Sequence, residues 1–408
     1  MDFSDSVEEA AYRAKVRAWL EANAPKEGFS NTEGMTIANE IARARAWQTK
    51  KAAAGYAQIT WPKEWGGPGG TPMQQVIYKQ EEAKYDVDSP YFILALGMCI
   101  PTVMAVGDEA TKQRFVGPGL RGEDIWCQLF SEPASGSDAA AARTMAVRQG
   151  DEWVVNGQKV WTSGAHLSDY GLLLARTDVD VPKHKGMAMF WVDMKSPGIE
   201  VRPIHQMSDN SGFGFNEVFL TDVRLSDAQR IGAVNDGWRV SMVTLMNERM
   251  SVGGMGASLQ ASVLGLAREL PTLAGLAIDD AAVREKAADW FIRIEGLKYT
   301  RYRALTALSR GETPGPEGAI GKIVSASLMQ DVANTAVTLE DEYGLISDPE
   351  LAPLGAAFQS ALLGSPGLRI AGGTDEILRN IIAERVLGLP PDIRVDKDVA
   401  FKDVPTGS

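Results

Sequence analysis

The chain has 408 residues, 45% of them hydrophobic and 23% charged, with a formal net charge of −12, a size and composition suited to two or three packed domains of an ordinary globular enzyme. The acidic balance excludes the basic footprint of non-specific nucleic-acid binding. Two cysteines are too few for a disulfide framework, and three histidines leave little material for a His-rich metal site or a Ser-His-Asp triad. The expectations are therefore no metal, buried thiols at Cys99 and Cys127, and a cytoplasmic setting. The start Met-Asp-Phe-Ser-Asp-Ser has no basic or apolar leader pattern, and no run approaches the ~20 apolar residues of a span, so neither a signal peptide nor a membrane span is expected.

Apolar residues recur at helical spacing over residues 5–55, with Val7, Ala10, Ala11, Val16, Trp19 and Leu20 in one set and Ile37, Ile41, Ala44 and Trp47 in the next. Turn residues at 61–70 interrupt the pattern, which resumes over 73–117. From about 125 to 233 the texture changes to short runs rich in Val, Phe, Trp and Thr between Gly, Pro, Asn and Asp, which predicts strands. Among these, Asn156-Gly157 predicts a two-residue hairpin turn, and strands are expected at 171–176, 187–194, 199–204 and 216–223. Long helical patterns return after Gly237-Trp238 and stop at Gly388-Leu389-Pro390-Pro391. The expected organisation is a helical domain at 1–122, a β-domain at 123–235, a helical domain at 236–390 and a polar, mobile tail at 391–408.

Three constellations carry chemistry. The first is Gln128-Leu129-Phe130-Ser131-Glu132-Pro133-Ala134-Ser135-Gly136-Ser137-Asp138, followed by Trp161-Thr162-Ser163-Gly164. Small hydroxyls and a glycine allow close approach of a polar ligand, and a tryptophan offers a stacking face. The second is Asn247-Glu248-Arg249 on a helix, which on its own reads as a solvated Glu-Arg pair on a helix face, and as a general base only if a ligand shields the carboxylate from water and raises its pKa. The third is Gly372-Gly373-Thr374-Asp375-Glu376 before an apolar helix, which also reads as ordinary capping sequence.

Together these segments resemble the acyl-CoA dehydrogenase family over roughly residues 5–390. The resemblance implies an N-terminal helical domain, a barrel-like middle β-domain and a C-terminal four-helix bundle. It implies FAD, with Gln128, Phe130, Ser131, Gly136, Ser137, Trp161, Ser163, Thr374 and Glu376 at cofactor-binding positions, the last two reaching flavin across a subunit boundary. It places Glu248 where a subset of the family keeps its catalytic base, and Ser137, Arg249 and Gly372 beside the acyl-CoA. In many members the position of Gly372 carries the base itself; here only its N–H remains, as a donor to the thioester carbonyl.

The implied reaction is α,β-dehydrogenation of an acyl-CoA to a trans-2-enoyl-CoA in fatty acid or lipid catabolism, with electrons passed to electron-transfer flavoprotein, by a homodimer or homotetramer. An oxidase-like enzyme on the same fold and a catalytically silent subunit of a heteromer are the alternatives. Two departures bear on the flavin tail: no Arg-x-x-Phe-Gly segment occurs near 265–280, and Glu340-Asp341-Glu342-Tyr343-Gly344 replaces the usual glycine-rich turn. The small residues Gly253, Gly254, Gly256 and Ala257 leave room for a bulky, branched or cyclic acyl group, and close helix packing explains them equally well.

Overall fold

The structure, a computed structural model, describes residues 5–404 other than 31, 33, 209–212, 252–256, 273–274, 310–314, 317 and 394–395, and does not extend to the side chains of 248–251, 257–258, 305 and 308–309. The chain divides into two compact units, one of residues 1–204, 211–247 and 394–408, the other of residues 205–210 and 248–393.

In the first unit, α1 (Val7–Asn23), α2 (Ile37–Ala53) and α3 (Pro72–Glu82) start on Ser6, Thr36 and Thr71, whose hydroxyls accept N–H groups of the first turn. Such caps satisfy donors that a helix start leaves bare. A π-helical turn, Ala95–Cys99, runs into α4 (Ile100–Val106), and α5 (Glu109–Arg121) ends at left-handed Gly122. The sheet follows as β1 (Trp126–Leu129), β2 (Met145–Gln149), β3 (Glu152–Lys159), β4 (Tyr170–Arg176), β5 (Met187–Asp193), β6 (Ile199–Pro203), β7 (Asn216–Ser226) and β8 (Arg230–Ile231). Its order is β6-β7-β3-β2-β4-β5-β8, with β1 parallel to β4.

The two-residue side-chain period sorts both faces of this sheet. Trp126, Phe130, Leu172 and Leu174 join Phe115 and Ile100 of the helices in one core, while Cys127, Leu129, Leu173 and Ala175 join Phe190, Val218 and Leu225 in the other. Both cysteines are buried and free, and burial pushes the Cys127 thiol up to about 12.

Two sequence expectations are corrected. Asn156-Gly157 is not a hairpin turn: β3 runs through it, and the turn to β2 is made at 150–151, where Gly150 is left-handed. Asn156 instead exchanges hydrogen bonds with Asp222 of β7, and a Cβ at Gly157 would lie 2.7 Å from the Thr144 backbone. The glycine thus serves a β-bulge against a neighbouring strand rather than a turn. Nor does the expected mobile tail stand free of the fold at residues 396–404. Phe401 is buried, its N–H donates to Val181 O at 2.9 Å, and Pro182 and Ala400 form a β-bridge. The reason is one apolar ring with a buried cation to cover, which composition does not reveal.

The second unit holds α7 (Ala257–Glu269), α8 (Ala281–Ser309), α9 (Gly318–Leu339) and α10 (Ala357–Ile370), packed around Val263, Trp290, Leu328, Val332 and Phe358. α11 (Asp375–Ile381) follows and ends in a π-helical turn, Ile382–Val386. Helix α6 (Gly237–Ser251) begins in the first unit, where Val240 enters the helix-facing core.

Candidate active site

The first constellation is assembled where β1 leaves the sheet. Gln128 and Phe130 share the face of Trp126, and Phe130 is buried in that core. Past Phe130 the chain is tied by Val160 N–H donating to Ser131 O at 2.9 Å, and it folds on itself through paired backbone bonds between Glu132 and Ser135. Ser137 is exposed, and a Cβ at Gly136 would meet no atom within 4 Å.

Beneath this turn lies an ion pair that sequence reasoning missed. Lys159 is 0% exposed. Its ammonium donates to Phe130 O at 3.1 Å, Leu174 O at 2.8 Å and Glu132 Oε1 at 2.8 Å, so all three protons are used. The Glu132 carboxylate also accepts the N–H groups of Arg143 at 2.6 Å and Thr144 at 2.9 Å. Burial raises the Glu132 pKa, but the Lys159 charge and these hydrogen bonds outweigh it and leave the carboxyl below its ordinary range. Burial pulls the Lys159 pKa down, with Glu132 opposing. The pair nails the end of β1 to β3 and β4. The only hint in the sequence is a lysine among strand residues, which looks like an edge charge.

The Trp161-Thr162-Ser163 segment is held on the other side by β7. Thr162 N–H donates to Asn216 O at 3.0 Å, the Asn216 amide donates to Thr162 O at 2.9 Å, and Gly164 N–H donates to Gly214 O at 3.0 Å. Within this frame Trp161 has φ +59° and is 58% exposed, its ring edge-on to Phe215. A bulky aromatic in left-handed conformation is strained, and such strain persists only where the surroundings impose it. Two buried hydroxyls, Thr162 Oγ1 next along the chain and Ser135 Oγ in the turn after β1, have no hydrogen-bond partner, and unpaired buried polar atoms call for an explanation.

The third constellation lies in the second unit. Gly372 (φ +67°) and Gly373 (φ +91°) turn the chain between α10 and α11, and Thr374 caps α11 by accepting Ile377 N–H at 3.3 Å. The expected capping role is thus present. Lys322 of α9 donates to Gly373 O at 2.7 Å, while buried Asp375 pairs with Arg369 at 2.6 Å. These contacts hold the Gly-Gly-Thr turn from beneath, and Glu376 stands exposed. Glu248 and Arg249 fall on α6, but their side chains lie outside the described residues, as do Gly253, Gly254 and Gly256 altogether and the side chain of Ala257. Among the described residues no cluster of His, Cys, Asp and Glu can hold a metal, and no helix is long and apolar enough to cross a membrane.

Comparison with known proteins gives these segments a family. Models of the N-terminal, middle and C-terminal domains of acyl-CoA dehydrogenase match residues 6–123, 127–223 and 235–387. Acyl-CoA dehydrogenase IpdE1 of Mycobacterium tuberculosis is 36% identical, covering 94% of this chain and 98% of that protein. Acyl-CoA dehydrogenase FadE34 of the same organism is 38% identical over 84% of this chain, which spans 46% of that relative's length, about half. Among solved structures, the ChsE4-ChsE5 complex from Mycobacterium tuberculosis matches with a TM-score of 0.80 at 27% identity, over 96% of this chain and 100% of that one. The Tcur3481-Tcur3483 steroid acyl-CoA dehydrogenase (ACAD) matches with a TM-score of 0.80 at 26% identity, over the same shares. With its three domains matched in order and a full-length relative above one-third identity, this chain belongs to the acyl-CoA dehydrogenase family of FAD-binding oxidoreductases.

Proposed function

We propose that the chain catalyses α,β-dehydrogenation of an acyl-CoA thioester to a trans-2-enoyl-CoA, and that electron-transfer flavoprotein receives the electrons. The observation that carries this reading is Trp161, strained and exposed in the segment that follows β3, together with the unpartnered buried hydroxyls of Ser135 and Thr162 in the two segments of the first constellation. An isoalloxazine ring fits these features: it covers an aromatic face and accepts or donates along a polar edge. Gln128, Phe130, Ser131, Gly136, Ser137, Trp161 and Ser163 would hold FAD in one subunit, and Thr374 and Glu376 would reach it from another, which makes a dimer or tetramer part of the reading.

When bound, FAD supplies a hydride acceptor. The chain's own part is proton removal and alignment. Glu248 takes the α-proton, Arg249 meets the CoA portion, Ser137 lines the thioester, and the Gly372 N–H donates to its carbonyl as negative charge grows there. The small residues after Glu248, with the likeness to a steroid acyl-CoA dehydrogenase, favour a polycyclic acyl group. Lipid catabolism in the cytoplasm is the matching setting.

Anaerobic bleaching of the flavin band by a panel of straight, branched and polycyclic acyl-CoAs tests this. Wild type should bleach with at least one of them, and Glu248→Gln should keep its flavin yet bleach ~10²–10⁴-fold more slowly. Bleaching within a few-fold of wild type would remove Glu248 from its role. A second reading, a subunit whose partner supplies the chemistry, is favoured by Gly372 and by the two-component names of the structural relatives. It predicts a chain that is colourless when purified alone and turns yellow only with its partner.

A further inference from the structure

We propose that residues 396–404 form a strap that positions the Ser135–Asp138 loop, with Phe401 and Lys183 as positioning residues for acyl-CoA binding. The proposal rests on the reading that Ser137 meets the thioester. The strap is bound along its length to the loop between β4 and β5. Phe401 N–H donates to Val181 O at 2.9 Å and Lys402 N–H to Val179 O at 3.0 Å, next to the bridge between Pro182 and Ala400.

Two side-chain links carry this attachment onward. Arg176 is fully buried, and its guanidinium donates to main-chain carbonyls alone: Ala140, Ala142 at 3.2 Å, Lys183 at 2.6 Å and Gly186 at 3.4 Å. Its guanidinium carbon lies over the Phe401 ring, 3.8 Å from the centroid, within reach of a cation–π attraction that desolvation strengthens. Phe401 therefore completes the surroundings of the cation that grips the foot of the 131–143 loop. Lys183, meanwhile, joins Asp138, the neighbour of Ser137, to Asp396 of the strap, with both carboxylates at 2.5 Å. Asp138 is half exposed, so its pairing with Lys183 alone would be weak; the second carboxylate and the burial of Lys183 hold the ammonium in place.

The strap is thus linked to the loop at two points, through Lys183 to Asp138 beside Ser137 and through Arg176 to the Ala140–Ala142 turn. Proton removal is assigned to Glu248, elsewhere in the chain, while Ser131, Gly136 and Ser137 of the loop are also assigned to FAD, so the effect of losing the strap on acyl-CoA binding is read in protein kept saturated with FAD.

The test uses full-length Phe401→Ala, Phe401→Trp and Asp396→Asn with retained FAD. Hydrogen exchange of the amides in 131–143 and the KM and kcat for the best acyl-CoA are compared with wild type. Phe401→Ala and Asp396→Asn should speed exchange in that segment and raise KM about tenfold with kcat within twofold, and Phe401→Trp should behave as wild type. Unchanged exchange in both loosened variants overturns the strap, and faster exchange with unchanged KM overturns its role in binding. If Phe401→Ala does not fold, Asp396→Asn, a milder change at a partly exposed site, decides alone. Should wild type bleach with no acyl-CoA, the functional reading fails, and the exchange rates still show by themselves whether the strap holds the loop.

Discussion

Lys159→Met removes a buried ammonium while keeping most of the side chain's volume. In the wild type the three donors of Lys159 satisfy two carbonyls and Glu132, whose carboxylate is itself buried. Without the ammonium that carboxylate keeps only the Arg143 and Thr144 N–H groups. Removing one member of a buried pair costs about 3–5 kcal/mol. Replacing both by neutral groups is often nearly neutral, so Lys159→Met/Glu132→Gln should recover most of the loss.

The pH dependence gives a second check. With Lys159 gone, burial dominates and raises the Glu132 pKa above its unfolded value. The variant then regains stability, relative to wild type, as pH falls and Glu132 takes a proton. The assay is urea denaturation followed by tryptophan fluorescence at pH 8 and pH 4.5, with bound FAD measured in parallel. The single variant should show the larger loss at pH 8. A wild-type midpoint at pH 8, or a double variant as weak as the single, would refute the reasoning.

Three further outcomes follow from the same geometry. Glu81 is buried with Arg13, Arg17 and Lys84 around it; burial raises its pKa, but these hydrogen bonds prevail and bring it to about 2 from 4.5. Its contribution is present above pH ~4.5 and lost as pH falls toward 2, about 1–2 kcal/mol after allowance for the exposed partners, so Glu81→Gln should flatten the acid limb of a thermal-melt profile. Gly157→Ala places a Cβ 2.7 Å from the Thr144 backbone and should cost roughly 1–3 kcal/mol; a melting temperature equal to wild type would show that the strand can shift. Lys322→Met removes the donor to Gly373 O, so light scattering of the FAD-bound protein should show subunit association weakened if Thr374 and Glu376 reach a neighbouring flavin, and an unaltered association constant would argue that the turn holds without Lys322.

The α-β-α order was legible because it rests on local period. Val16 and Leu20 sit one helical turn apart, and Leu172 to Ala175 are sorted by alternation, patterns that survive in one dimension. Trp161 and the Ser131–Ser137 turn were singled out by their resemblance to a family signature and not by any local period. Asn156-Gly157 shows the limit: the dipeptide permits a turn, but Thr144 and Asp222, 12 and 66 residues away along the chain, made it a bulge. Lys159, Arg176 and Phe401 were invisible for the same reason. A lysine, an arginine and a phenylalanine each look commonplace until a distant carboxylate, a row of carbonyls or a cation closes around them. Burial of charge is decided by which atoms meet, and only the folded chain brings Glu132 to Lys159 and residue 401 to residue 176.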